Sequence, residues 1–420
     1  LHRALFAARL NHRSRLLILT HNRPINGELR RRAMDTAPEG SQIQWRTFFQ
    51  WASKHLPQRP KHILSQRECQ RRLESLMGYD LGNLTSAFVE EEIGYLRDLG
   101  IGALDEYLAL ERKGRLMGLT PARRENIWRL LEVYRADLHQ RGESDWHEVA
   151  LRFRDLVREH PERLSKHDFI FIDEAQFFAK VWFEPVLAAL HPGGQLFLAA
   201  DPTQGFLKRQ NSWLAAGIEV RGRTSRLSIP YRSTRSILRF ARDLIRQRAS
   251  LHPDAIEDLD PPSDEDLAAI QEEGELPVLL PAASGHDAVT RVVREIAQLH
   301  ERQPHLAGSV LILHADSFAT GDLVRALHAR LGPEIAADLN SREPQPEETF
   351  CSVSNLMAAT GLEAAVVFLL GIDRLLEKEA DPRLDESARA ELAADHTRLL
   401  YMACTRAARR LVIFSSRWPQ

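Results

Sequence analysis

The chain has only three cysteines in 420 residues, Cys69, Cys351 and Cys404, and they lie far apart. This scarcity argues against a disulfide framework and against cysteine-based zinc sites. The 17 histidines form no H-x-x-x-H or H-E-x-x-H pattern. No apolar run reaches the roughly 18 residues that a membrane span requires. We therefore expect a protein of a reducing, cytoplasmic setting that does not cross a membrane.

The sequence also lacks G-x-x-x-x-G-K-[ST], the loop that cradles nucleotide phosphates. Its composition, 44% hydrophobic and 27% charged, is that of a globular protein. The net charge of −2 is unevenly spread, since residues 1–75 carry 15 Lys/Arg against 5 Asp/Glu, whereas residues 251–281 carry 10 Asp/Glu and no Lys/Arg. The basic segment suits a phosphate backbone or is a solvated face. The acidic segment predicts a solvated loop or linker.

Two short apolar runs that end in carboxylates suggest a site. Phe169–Ile172 is typical of a buried strand and is followed by Asp173 and Glu174, and Leu196–Ala200 is followed by D-P-T-Q at 201–204. The carboxyl ends of parallel strands meet at one edge of an open α/β sheet. Carboxylates there suit a Mg-nucleotide, with one group for the metal, one for a water, and the amide of Gln204 for the last phosphate. The alternative is that each Asp caps the helix that follows.

The periodicity of the whole chain predicts an α/β protein of two parallel-sheet domains. Residues 1–57 and 165–225 form the first domain, and residues 58–164 form a helical insertion without strands. Residues 226–420 form the second domain, with 251–281 as its acidic linker. The elements predicted for this second domain are strands Ser309–His314, Phe350–Ser354, Ala365–Leu370 and Leu411–Ser415 and a helix Asp395–Arg410. Four aromatic residues are predicted to pack in the core, with base stacking as the alternative: Trp45, Phe48, Phe49 and Trp51.

Six polar stretches follow one another along the chain and carry a family resemblance. They are Thr20-His-Asn-Arg23, Asp173-Glu-Ala-Gln176, Asp201-Pro-Thr-Gln204, Ile229-Pro-Tyr-Arg-Ser-Thr234, Ala359-Thr-Gly-Leu-Glu363 and Tyr401-Met-Ala-Cys-Thr-Arg-Ala407. In this order they resemble motifs Ia and II to VI of the UvrD-like superfamily 1A DNA helicases, of the UvrD/Rep/PcrA type. The resemblance covers nearly the whole chain.

This resemblance implies a fold, an activity and a set of ligands. The fold would be two RecA-like (P-loop NTPase) domains with a 1B-type helical insertion, and the activity ATP-dependent 3′-to-5′ movement along single-stranded DNA. The ligands would be ATP and Mg²⁺ in the cleft between the domains. The implied roles are Mg²⁺ binding by Asp173, action on the attacking water by Glu174, γ-phosphate contact by Gln204 and Arg232, adenine stacking by Tyr231, ribose contact by Glu363, and an arginine finger at Arg406. The stretch that resembles motif Ia implies DNA contact by Thr20, Asn22 and Arg23. Arg209 or Phe206 is expected to stack on a DNA base in place of an aromatic that the family usually has.

The departures from the family pattern keep several alternatives open. Thr360 stands where motif V usually has Lys, and Leu207-Lys-Arg209 replaces an aromatic Tyr-x-Trp. The stretch between motifs IV and V is too short for the large 2B insertion. Because the phosphate loop is missing, we expect a longer protein in which that loop, and a further domain such as a nuclease or sensor, lie upstream. A nucleotide-gated regulatory or scaffold module, an RNA substrate, and phage defence rather than DNA repair remain the alternatives.

Overall fold

The structure is a computed structural model that describes residues 1–21, 23–34, 36–76, 78, 81, 84–112, 118–200, 213–214, 216–225, 233–251, 261–315, 320–339, 341, 349–359, 361–382, 384 and 386–416. It is an α/β protein whose described sheets are parallel, as the sequence predicts. The chain divides into two compact units, Leu1–Asp201 with Leu207–Thr224, and Pro202–Phe206 with Ser225–Gln420. Across the described ranges, no helix has both the length and the hydrophobicity to cross a membrane.

The first unit contains nine described helices and six described strands. The helices are α1 (His2–Leu10), α2 (Arg23–Met34), α3 (Phe48–His55), α4 (Gln66–Leu76), α5 (Ser86–Leu99), α6 (Leu104–Ala109), α7 (Pro121–Arg141), α8 (Trp146–Glu159) and α9 (Lys180–Ala188). The strands are β1 (Arg15–Thr20), β2 (Gln42–Thr47), β3 (His62–Ile63), β4 (Glu143–Ser144), β5 (His167–Ile172) and β6 (Leu190–Leu198). Strand β2 is additional to the sequence prediction.

Four of these strands form the main sheet of the first unit, in the order β2-β1-β5-β6. Because side chains alternate along a strand, Leu17 and Ile170 face one side, with α3, α8 and α9, while Leu16 and Phe171 face the other, with α1. The aromatic side chains predicted to be core are packed there, and the rings of Phe48 and Trp182 stack 4.4 Å apart. The sheet is therefore covered on both faces, which explains why its central strands are almost wholly apolar.

The predicted helical insertion has a core of its own between residues 64 and 138. Its buried ion pairs include Arg97 with Asp145, at 2.7 Å, and Arg112 with Glu92, at 2.8 Å. The prediction that it contains no strand is wrong, because β3 and β4 pair in parallel as a two-stranded sheet. Such two-residue strands leave no periodic signal in the sequence. Helix α8 lies within the range of the predicted insertion, but it packs with α3 and α9 in the core of the main sheet rather than in the core of the insertion.

The second unit contains six described helices and six described strands. The helices are α10 (Arg235–Leu251), α11 (Asp264–Ala268), α12 (Gly285–Arg302), α13 (Thr320–Leu331), α14 (Ile372–Glu379) and α15 (Glu386–Cys404). The strands are β7 (Val278–Leu280), β8 (Val310–His314), β9 (Ala336–Asp338), β10 (Cys351–Asn355), β11 (Ala364–Leu370) and β12 (Ala407–Phe414). They form one sheet in the order β7-β12-β11-β8-β10-β9.

Two predictions for this unit need correction. The predicted helix Asp395–Arg410 ends at Cys404, and Ala407 already pairs with Ala364 in the sheet, so Arg409 and Arg410 belong to a strand. Pairing with β11 extends this strand beyond its apolar part, whereas β7 pairs with its apolar end, Val412–Phe414. The acidic stretch 251–281 is not only a solvated linker, because its described part contains α11 and the edge strand β7.

Candidate functional site

The carboxyl edge of the first sheet carries the predicted carboxylate pair. Strand β5 lies between β1 and β6, and Asp173 follows its last residue. The backbone N–H of Asp173 donates to the carbonyl of Leu19 at 3.0 Å, and that of Ala175 donates to Ala199 at 2.9 Å. The turn that holds Asp173 and Glu174 is therefore tied to the ends of both neighbouring strands. Both carboxylate residues are half-buried.

Glu174 has an unusual backbone conformation. Its φ of 55° and ψ of 45° lie in the left-handed region, and among the described residues no other non-glycine has a positive φ. This conformation costs a residue with a Cβ about 1–2 kcal/mol. The side-chain amide of Gln176 donates to the Glu174 carboxylate at 2.5 Å. Strain of this kind persists only where the surrounding structure imposes it, and it is concentrated at functional sites.

Aromatic rings pack together next to this turn. The ring of His21, just after β1, lies 5.1 Å from that of Phe177 and stacks at 6.4 Å on that of Trp182. Phe177 and Trp182 are fully buried. The end of β1 and the turn after β5 are therefore packed together. The sequence assigns no role to His21 or Gln176, although Gln176 is the last residue of the motif Asp173-Glu-Ala-Gln176.

The residues predicted to contact DNA have different surroundings. Thr20 is fully buried at the end of β1, beside Thr47 of β2, whereas Arg23 is exposed at the start of α2. The remaining predicted DNA contacts, Asn22, Phe206 and Arg209, lie outside the described residues, as does Gln204. Of the described candidates, Arg23 is the one whose side chain is accessible to a nucleic acid.

In the second unit, two predicted residues meet at the amino edge of the sheet. Glu363 directly precedes β11 and Arg406 directly precedes β12, and these two strands are neighbours. The N–H of Ala364 donates to the carbonyl of Arg406 at 3.1 Å. Glu363 is exposed, whereas Arg406 is only 5% exposed. The register of the sheet therefore brings these two residues together, 43 positions apart in sequence.

The guanidinium group of Arg406 contacts its own unit. Its Nε donates to the carbonyl of Met402 at 3.1 Å, and its Nη1 donates to the carbonyl of Leu362 at 3.2 Å. These bonds connect the last turn of α15 to the segment that leads into β11. Arg406 thus has a structural role in this conformation, in addition to whatever it does with a ligand.

A third predicted stretch reaches the same edge. The N–H of Thr234 donates to the carbonyl of Ala408 at 3.1 Å, and the hydroxyl of Ser233 donates to the carbonyl of Thr405 at 3.4 Å. Ser233 and Thr234 directly follow Tyr231 and Arg232, which lie outside the described residues. The described residues of the stretches that resemble motifs IV, V and VI therefore converge at one edge of the second sheet.

Comparison with known proteins adds little at the sequence level. No protein-family model matches the chain, and no curated protein matches it. Among solved structures, it is similar to the C-terminal domain of a possible DNA helicase from Lactobacillus plantarum WCFS1, with 20% identity and a TM-score of 0.29 over 44% of this chain and 86% of the other. A likeness of this size does not establish a common fold or activity.

The chemistry of the carboxylate pair suits a magnesium ion. Across the described residues, no three His, Cys, Asp or Glu side chains are grouped so as to hold a metal by themselves. Asp173 and Glu174 nevertheless offer hard carboxylate oxygens, and Mg²⁺ commonly completes its shell with water and phosphate oxygens.

A cavity of about 290 Å³ lies at the opposite edge of the same sheet, lined by Leu10, Asn11 and Gly194 among others. It is therefore distinct from the carboxylate pair.

Proposed function

We propose that this chain is the motor part of an ATP-dependent single-stranded DNA translocase or helicase. The observation that carries the proposal is the turn after β5, where two half-buried carboxylates sit at the carboxyl edge and Glu174 adopts a left-handed conformation. Open α/β sheets bind their ligands at this edge. The ordered motifs and the convergence of three of them in the second unit support the same assignment.

In the proposed reaction, each carboxylate has a separate task. Asp173 would hold Mg²⁺, which when bound neutralises charge on the β- and γ-phosphates. Glu174 would accept a proton from, or orient, the water that attacks the γ-phosphate. The hydrogen bond from Gln176 fixes the Glu174 carboxylate in one orientation. A fixed orientation favours catalysis because less reorganisation is needed when the phosphoryl group is transferred.

The other predicted residues complete the proposal. Gln204 and Arg232 would contact the γ-phosphate, Tyr231 the adenine and Glu363 the ribose, while Arg406 would stabilise charge in the transition state. DNA contact is assigned to Arg23 first, because it is exposed at the start of α2. A cytoplasmic setting and a role in DNA repair remain predictions of the same kind.

ATP hydrolysis by the complete natural protein tests this proposal, because the 420 residues contain no phosphate loop. We expect single-stranded DNA to stimulate turnover and Glu174→Gln to remove it. The matched control is Glu159→Gln, which makes the same chemical change at an exposed position of α8 in the same unit. Stimulated turnover that survives Glu174→Gln would rule out the role of this carboxylate. RNA of matched length, run in parallel, distinguishes the two substrates.

The burial of Arg406 favours a second candidate function, a nucleotide-gated switch without productive hydrolysis. Its guanidinium is engaged with two backbone carbonyls of its own unit. A switch predicts ATP binding without turnover in the wild type, whereas a motor predicts turnover that Arg406→Lys reduces about a thousandfold. The lysine variant is preferred to Arg406→Ala because it keeps a donor near those carbonyls. Nucleotide binding, measured separately, should survive the substitution.

A further inference from the structure

Helix α10 carries four arginines on one face, which we call the arginine face. Arg235, Arg239, Arg242 and Arg246 are spaced by four, three and four residues, so all four side chains project from the same side of the helix. The opposite side contains the buried residues Ile237, Ala241 and Leu244. A fifth arginine, Arg248, is buried on that opposite side and contacts α15. The arginine face therefore lies on the side of α10 opposite to the contact of Arg248 with α15.

An acidic segment, residues 261–277, lies along this face. It contains six Asp/Glu and no Lys/Arg. The carboxylate of Glu273 lies 2.9 Å from Nη1 of Arg235 and 3.0 Å from Nη1 of Arg239. Asp264 accepts a hydrogen bond from Arg242 and lies 4.0 Å from Arg246. Two carboxylates thus pair with all four arginines of the face.

Backbone and apolar contacts also hold the segment in place. The Nε of Arg235 donates to the carbonyl of Leu267 at 3.0 Å, and the N–H of Ser236 donates to the carbonyl of Glu273 at 2.9 Å. Leu267 and Ile270 form a small buried cluster with Leu238 of α10. The segment is therefore docked in a defined register, with its carboxylates placed against the arginines.

Both carboxylates and two of the four arginines are accessible to water. The side chains of Asp264 and Glu273 are 80% and 52% exposed, and those of Arg239 and Arg246 are 46% and 54% exposed. The side chains of Arg235 and Arg242 are only 27% and 7% exposed. Pairs of this kind contribute little to stability and are screened by salt. A stronger polyanion can therefore displace the carboxylates without unfolding the unit. The four arginines span roughly 16 Å of helix, and their planar forks match phosphate oxygens.

We propose that the arginine face is a binding surface for the phosphodiester backbone of single-stranded nucleic acid, and that the acidic segment is its built-in competitor. The segment mimics the spaced negative charges of the strand and occupies the face when no strand is bound. A nucleic acid that binds there replaces the carboxylates of Asp264 and Glu273. The inference stands on the second unit alone and does not depend on ATP hydrolysis.

Removing the two competing carboxylates tests this inference. We expect D264N/E273Q to raise the affinity for a single-stranded DNA 20-mer about tenfold, since each lost ion pair is worth a few-fold. The dependence of binding on salt should also steepen. The matched control is E265Q/E272Q, which removes the same charge from the same segment at residues that pair with no cation in the part of the chain that is described. Fluorescence anisotropy of a labelled oligonucleotide measures both effects.

Further variants and ligands decide between the outcomes. Adding R239Q/R246Q to D264N/E273Q should abolish the gain, because both arginines are exposed members of the face. Equal affinity of D264N/E273Q and its control would overturn the proposal and leave the segment a purely structural one. An equal gain for polyglutamate would also overturn it, and would assign the face to an acidic protein.

An RNA 20-mer identifies which nucleic acid is preferred. The single variant E273Q serves if the double variant unfolds.

Discussion

Among the described non-glycine residues, Glu174 alone has a positive φ, and its side chain is the one proposed to act on water. The end of the apolar run in β5 was enough to predict the position of this carboxylate. Its positive φ could not be predicted, because it results from the hydrogen bonds that tie the turn to β1 and β6. Glycine has a higher intrinsic preference for this left-handed conformation than glutamate has.

We predict that Glu174→Gly is more stable than Glu174→Ala by about 1 kcal/mol. Both substitutions remove the carboxylate, but only glycine relieves the left-handed strain. Urea unfolding followed by tryptophan fluorescence measures the difference in the first unit, because six of the seven Trp precede residue 225. Equal stability of the two variants would show that the turn is not strained. ATP turnover should be lost in both variants if the proposed function holds.

His167 makes the stability of the first unit depend on pH. Burial, aided by the charge of Arg15, outweighs the backbone interactions with Ala189 and Ser165 and lowers its pKa to about 4. The unfolded chain, with a pKa near 6.5, therefore binds the proton more readily than the folded one. The stabilisation is complete above about pH 6.5 and is lost as pH falls towards 4, by up to about 1.4 kcal/mol per pH unit.

We predict that His167→Gln flattens the pH dependence of unfolding between about pH 6.5 and 4. Glutamine removes the titrating group and retains a polar side chain of similar size. His139→Gln, at an exposed position of α7, serves as the control and should leave the slope unchanged. Denaturant unfolding at several pH values measures the slopes. The same slope in wild type and His167→Gln would contradict the prediction.

At the scale of elements, a buried polar cluster fixes helix α15 against α10. Arg248 donates to Glu379 at 2.8 Å and to the hydroxyl of Thr397 at 2.6 Å, and His396 lies 2.7 Å from the same carboxylate. Helix α15 ends at Cys404, two residues before Arg406. The cluster therefore helps to place the segment that resembles motif VI. Sequence periodicity could not reveal it, because its members come from three helices.

We predict that Arg248→Met destabilises the second unit by about 3 kcal/mol, because it leaves the largely buried Glu379 without its guanidinium partner. Arg246→Met on the same helix should change stability by less than about 0.5 kcal/mol, since Arg246 is exposed and its partner is 4.0 Å away. Far-UV circular dichroism during thermal unfolding measures both. Similar effects of the two substitutions would show that the cluster is not important for stability.

At the scale of the whole molecule, the described chain has separate cores in its two units. Units with separate cores commonly unfold independently, so a single two-state transition is not expected. We predict two transitions in calorimetry, of which tryptophan fluorescence mainly follows that of the first unit, because six of the seven Trp precede residue 225. Arg248→Met should lower only the other transition. A single transition that is shifted both by Glu174→Ala in the first unit and by Arg248→Met in the second would show that the two units unfold as one.

The sequence by itself determined the α/β class, the apolar strands that form both sheets, and the carboxylates that follow β5. These features depend on local patterning, because an apolar run flanked by polar residues is buried in any compact fold. Tertiary structure decided the rest. The pairing of β11 with β12 brings Glu363 beside Arg406 and converts a predicted helix end into a strand, and the docking of the acidic segment covers the arginine face. Contacts between residues so distant in sequence arise only when the chain packs, so periodicity alone could not predict them.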